Sequence, residues 1–138
     1  MRTFKMLLKK YNVEIKDVIQ KGGIDKSSIY TLANKEKSKP DSSRITGSML
    51  QAVALTVGID PGTVINDLLY LEQEVGILAE EMQNTLTDVI HSEGKEAALK
   101  FLPGFIFKVV EQEAYKEEFE RYYSEFILAY EAKKEDIQ

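Results

Sequence analysis

Val18-Ile19-Gln20-Lys21-Gly22-Gly23-Ile24-Asp25-Lys26-Ser27-Ser28-Ile29-Tyr30-Thr31-Leu32 is the stretch that decides the fold. It closes one amphipathic helix, breaks at two glycines that take positive φ at little cost, and restarts. Asp25 stands where an N-cap belongs, able to accept the amide near Ser28. Ile29, Leu32 and Ala33 then share one face of a helix over about Lys26 to Asn34. An apolar face on the first helix, a glycine at the turn, a cap, and isoleucine and leucine anchoring the second helix make the pattern of a helix-turn-helix. The outer side of that second helix offers Lys26, Ser27, Ser28, Tyr30, Thr31 and Asn34. Hydroxyls and amides can hydrogen-bond base edges, and lysine can reach guanine or phosphate. Lys35, Lys37 and Lys39 follow directly, where a clamp on the phosphate backbone would sit. The competing reading is an αα-hairpin with solvated lysines.

Before this stretch, Phe4, Leu7, Leu8 and Tyr11 recur at helical spacing and predict a helix from about Thr3 to Tyr11; a short second one carries Ile15, Val18 and Ile19. After it, Lys35 to Ser43 is a charged segment with Pro40 in it, read as an exposed loop. A fourth helix is expected over about Thr46 to Val57, stopping at Gly58. Asp60-Pro61 then restarts the chain with a cap and a proline at the first helical position. From there one long helix reaches about His91, its apolar residues in heptads: Leu68, Leu71, Val75, Leu78, Met82, Leu86 and Val89. Such a stripe suits either the chain's own core or a dimer seam. Lys95 to Phe101 reads as a further turn or two. Leu102-Pro103-Gly104-Phe105 is expected to turn, since proline and glycine oppose a helix, and Phe105 to Val110 fits strand or helix. A last helix from about Glu111 to Lys134 should dock by Tyr115, Phe119, Tyr122, Phe126 and Tyr130, leaving Glu117, Glu118 and Glu120 as a solvated face. The fold class is therefore all-α: five helices in residues 1–70, joined by the long helix to a small, mainly helical domain in residues 71–138.

Charge divides the chain in the same way. The net charge is −5, yet residues 1–50 hold eleven Lys and Arg against five Asp and Glu, while the remaining residues hold seven against eighteen. A basic first half attracts a phosphate backbone; an acidic second half is repelled by one and needs another kind of partner. There is no cysteine, which removes disulfides, thiolate metal sites and cysteine nucleophiles and fits a reducing cytoplasm. Charges interrupt the apolar residues at the start, unlike a signal peptide. The run Phe101 to Val110 is about half the ~20 residues a membrane helix needs, so cytoplasmic residence away from any membrane is expected. Enzyme readings find no support. His91 is the single histidine, and Gly22-Gly23 lacks the flanking strand and Gly-Lys-Ser/Thr ending of a phosphate loop. Neither a metal nor a cofactor is expected.

Residues 4 to about 70 resemble the Cro and cI repressor family, including the Lys37-Ser38-Lys39-Pro40 loop and the Gly58-Ile59-Asp60 entry to the fifth helix. Ile15, Ile19 and Ala33 stand where that family carries a phosphate-binding glutamine, a small residue and a glutamate. The resemblance implies an operator-binding repressor acting as a dimer. Leu8-Lys9-Lys10-Tyr11-Asn12-Val13, the Gly58-Ile59 to Leu69 segment, and Leu102-Pro103 with Phe105-Ile106-Phe107 ahead of a charged C-terminal helix also resemble phage type II-A anti-CRISPR proteins with an N-terminal helix-turn-helix. In that family the first domain represses its own promoter and the second inhibits an RNA-guided nuclease. The resemblance implies Ile106 and Phe107 as contacts on a type II effector nuclease. Gly104 is an extra residue relative to that family. A plain mobile-element repressor whose second half dimerises or senses a ligand is the alternative, and a protein-interaction module without DNA binding is a third.

Overall fold

The computed structural model describes residues 1–131. Among them it contains seven α-helices, α1 Thr3–Lys10, α2 Ile15–Gly22, α3 Lys26–Asn34, α4 Gly47–Val57, α5 Pro61–Glu93, α6 Lys95–Val109 and α7 Glu113–Ala129, with one 3-10 turn at Asp41–Ser43 and no strand. The chain divides into two compact units, Met1–Ile77 and a second beginning at Leu78, the boundary falling inside α5. No single helix among the described residues is long and apolar enough to cross a membrane.

Local chemistry accounts for the short helices. α3 starts because Asp25 accepts the Ser28 amide at 3.1 Å, and α4 because Thr46 accepts that of Met49 at 3.2 Å; each cap is worth about 1 kcal/mol. Asp60 does the same for α5 through the Thr63 amide and hydroxyl. The two glycines of the turn have different reasons to be there. Gly23 has φ +63 and closes α2 in the left-handed region, whereas Gly22 is helical and lies against α4, where an added Cβ would come 2.4 Å from that of Ala52. Only Gly23 needs positive φ; Gly22 is required by close approach, which corrects the reading of both as turn-formers.

The first unit buries Phe4, Leu7, Val18, Ile29, Val53, Leu68 and Leu71 in one core. α2 packs on α4, and α1 on α3. The segment before α4 departs from expectation at one residue. Lys35 to Pro40 are exposed, but Asp41 is 4% exposed. Its burial is tolerable because the Phe4 amide, Thr3 hydroxyl and Arg44 guanidinium satisfy its oxygens. Tyr11 is tied to α5 through Asp67 at 2.5 Å, and burial, then that bond, pushes its hydroxyl's pKa upward.

Of the heptad residues, Leu68, Leu71, Val75, Met82 and Leu86 are buried in the chain itself, Leu78 and Val89 are half-buried, and Ile90 takes the last core place. The stripe is consumed by the chain's own cores and is not a seam left open for a second copy.

The expected turn at Leu102 to Phe105 is absent: α6 runs through Pro103 without a break. A proline in a helix interior costs about 3 kcal/mol. Against that, Ala98, Leu102 and Ile106 form a four-residue stripe, each at most 4% exposed, and burying a leucine or isoleucine contributes about 1.5–3 kcal/mol apiece. The stripe packs on α7, so packing overrides propensity. α7 docks by Tyr115, Phe119, Tyr123 and Ile127, with Tyr122, Phe126 and Tyr130 half-buried; the core stripe keeps strict four-residue steps where one drifting by three was expected. The Tyr123 hydroxyl donates to the Ala79 carbonyl at 2.7 Å. Glu118, expected on a solvated face, is 5% exposed and held bidentately by Arg121 at 2.8 and 2.7 Å. The expected helix positions 132–134 lie outside the described residues.

Candidate nucleic-acid interface

α3 presents two contrasting sides. Ile29, Leu32 and Ala33 are buried, and Lys26, Ser27, Ser28, Tyr30, Thr31 and Asn34 are all exposed. The helix has no acidic residue, so its outer side opposes a phosphate backbone nowhere along its length. Ala33 is fully buried; a glutamate at that position would lose its solvation, so alanine here is a packing choice. Ile15 and Ile19 are half-buried on α2 and act as packing residues in the same way.

The six outer residues are not equivalent. The hydroxyls of Ser27 and Ser28 donate to Asp25 Oδ2 at 2.7 and 3.0 Å, so both complete the cap and are oriented by it. Together with the Ser28 amide these donors hold the Asp25 carboxyl below its ordinary range. Lys26 Nζ lies 5.9 Å from the Tyr30 ring centroid, and Asn34 Oδ1 accepts Lys5 Nζ from α1 at 3.2 Å. Thr31 carries no such contact among the described residues. Thr31, Lys26 and the edge of Tyr30 are the groups best disposed to meet a ligand, and Ser28 is chiefly structural.

Lys35, Lys37 and Lys39 are exposed on the connection from α3 to the 3-10 turn and make no ion pair with another described residue. Residues that the sequence did not single out hold this connection. Arg44 Nη1 donates to the Lys35 carbonyl at 3.5 Å and to Asp41 Oδ1 at 2.9 Å. Asp41 lies three residues before Arg44, immediately after Pro40, and that spacing was the legible signal.

In the second unit the expected contact pair, Ile106 and Phe107, is split. Ile106 is 4% exposed and belongs to the α6–α7 core, whereas Phe107 is 77% exposed. Consecutive residues on a helix point about 100° apart, so a helix through this segment cannot present both. The Phe107 ring carries Lys116 Nζ 5.0 Å from its centroid, and Lys100 and Lys108 are exposed on the same helix. Two of these lysines are balanced by carboxylates, Lys116 by Glu113 at 3.0 Å and Lys100 by Glu96 at 3.8 Å, so the surroundings of Phe107 are of mixed charge. His91 bonds Tyr130 through Nε2 at 2.6 Å. Comparison of the chain with protein-family models, with curated proteins and with solved structures returns no match.

Proposed function

We propose that residues 1–77 bind double-stranded DNA at an operator, that the protein is a transcriptional repressor of its own promoter on a phage or other mobile element, and that it has no enzymatic role. The observation that carries this reading is the outer side of α3: six exposed residues with hydrogen-bonding or cationic ends and no carboxylate, capped by Asp25 and followed by three lysines without described ion-pair partners. Base edges in a major groove demand such donors and acceptors, and phosphates demand the lysines. The deciding experiment is a gel-shift titration with DNA from upstream of the protein's own gene against a shuffled duplex. Equal affinity for the two would end the operator reading.

A homodimer belongs to the reading because operators are two-fold. With the heptad stripe consumed, the outer side of α5 offers the seam: Leu69, Tyr70 and Ile77 are 50%, 64% and 61% exposed, and α5 has no Lys or Arg. The second unit engages a protein partner, with Phe107 as the apolar anchor. A type II RNA-guided nuclease is the partner implied by resemblance. Without that partner the protein is a plain repressor.

A further inference from the structure

We infer that Arg44 and Asp41 are positioning residues for the lysine connection, tying its two ends together and so fixing where Lys35, Lys37 and Lys39 are held. One guanidinium nitrogen of Arg44 reaches the carbonyl of Lys35, where the connection leaves α3, and the carboxylate of Asp41, where it ends. The same end is closed by Ser43, whose amide and hydroxyl both donate to the Pro40 carbonyl at 3.0 and 2.8 Å. Asp41 is itself fixed: its other oxygen accepts the Phe4 amide at 2.9 Å and lies 3.3 Å from the Thr3 hydroxyl. Glu72 on α5 accepts that hydroxyl at 2.9 Å and the Ser42 amide at 3.1 Å. The connection is therefore referenced to α1 through Asp41 and to α5 through Glu72.

Buried charge of this kind gives little net stability, since desolvation offsets the attraction. Its value lies in geometry. On an untethered connection each lysine would lose chain entropy to meet a phosphate, so fewer of the three would stay engaged; a closed connection has lost that entropy already and keeps all three in place. Arg44 is suited to the task because the two hydrogens on its Nη1 are held in the fixed guanidinium plane and reach both acceptors at once, whereas an ammonium rotates on a flexible stem.

The test has one arm with DNA, which rests on the operator reading, and one without. In the first, the full chain binds a mixed-sequence duplex between about 50 and 200 mM salt, and the slope of log affinity against log salt falls by ~0.9 for each phosphate that is no longer neutralised. Arg44→Met should reduce the slope, and should reduce it no further when Lys35, Lys37 and Lys39 are already Gln. A general loss of folded protein would lower affinity and leave the slope alone. In the second arm, trypsin under native conditions should cut after Lys35 and Lys37 faster in Arg44→Met than in the native chain, with Arg44→Lys intermediate; Pro40 protects the bond after Lys39 in every variant. Should Arg44→Met fail to fold, Arg44→Lys and Asp41→Asn carry both arms. Native-like cleavage rates in the variants, or a slope reduction that persists in the triple-Gln background, would overturn the proposal. If the native chain shows no salt-dependent duplex binding, the operator reading falls and the trypsin arm alone decides the tether.

Discussion

Gly22 of α2 and Ala52 of α4 meet so closely that no side chain fits between them: an added Cβ would lie 2.4 Å from the Ala52 Cβ and 2.7 Å from its Cα. Neither obstacle is a flexible side-chain end, so Gly22→Ala must separate two helices. Overpacking of this kind costs typically 1–3 kcal/mol. Gly23→Ala meets open space and pays only for a left-handed backbone, about 1–2 kcal/mol. Urea midpoints should rank Gly22→Ala as the more damaging, with Gly23→Asn milder than Gly23→Ala. The opposite order would refute the close-approach account.

Lys26→Ala and Thr31→Ala should each cost ~1–3 kcal/mol in affinity for the specific operator and far less on random duplex. Both residues are exposed, so urea midpoints should move by less than about 0.5 kcal/mol. Ser28→Ala should behave differently, lowering stability because it strips one of the Asp25 donors. If Thr31→Ala weakens all DNA equally, Thr31 does not read bases.

Much of this was legible in advance. Asp25, Thr46 and Asp60 are caps whose donors lie three residues away, and local chemistry of that range needs no tertiary information. The burial of Asp41, Glu118 and Ile106 was not legible. Asp41 depends on Phe4, 37 residues earlier, and the helix through Pro103 depends on a stripe packing against α7. In each case a distant partner reverses what the residue type prefers by itself.

Ile106 and Phe107 should part company under mutation. Ile106→Ala opens the α6–α7 core and should cost about 2–5 kcal/mol. Phe107→Ala removes an exposed ring and one cation–π interaction, about 0.5–1 kcal/mol at such a site. If a protein partner docks here, Phe107→Ala should abolish inhibition of target cleavage by type II nucleases while leaving DNA binding and the urea midpoint near native. Uninhibited cleavage by every nuclease tried with the native chain would leave the plain repressor.

Sedimentation equilibrium at micromolar concentration should give twice the chain mass, and Leu69→Glu with Ile77→Glu should give the single mass. Because both side chains are already solvent-facing, the fold should persist. A native monomer would remove the α5 seam.

Burial lifts the Asp41 carboxyl above its ordinary 3.8, with Glu72 adding to the rise and the Phe4 amide, Arg44 and Thr3 opposing it. The folded chain therefore keeps this proton to higher pH than the unfolded chain does. Below 3.8 both states hold it and there is no slope. Between 3.8 and the raised folded value the folded state binds more protons, so Asp41 makes stability fall as pH rises; above that value the loss is complete. Asp41→Asn removes this contribution, so variant stability minus native stability should climb through that window and then level off. Urea titrations from about pH 3 to about pH 7 measure it, and a flat difference would refute the raised carboxyl.

The Phe4–Asp41 bond also bears on the order in which the chain acquires structure. Arg2 provides no side-chain cap for α1, and an isolated helix of eight residues is marginal in water. The amide at its first turn waits for a carboxylate that emerges from the ribosome 37 residues later, and Thr3 waits for Glu72, 69 residues later. α3, capped from three residues away, carries no such delay. During synthesis α1 is thus among the last parts of its unit to settle, and the unit matures from its middle outward rather than in the order in which it is translated.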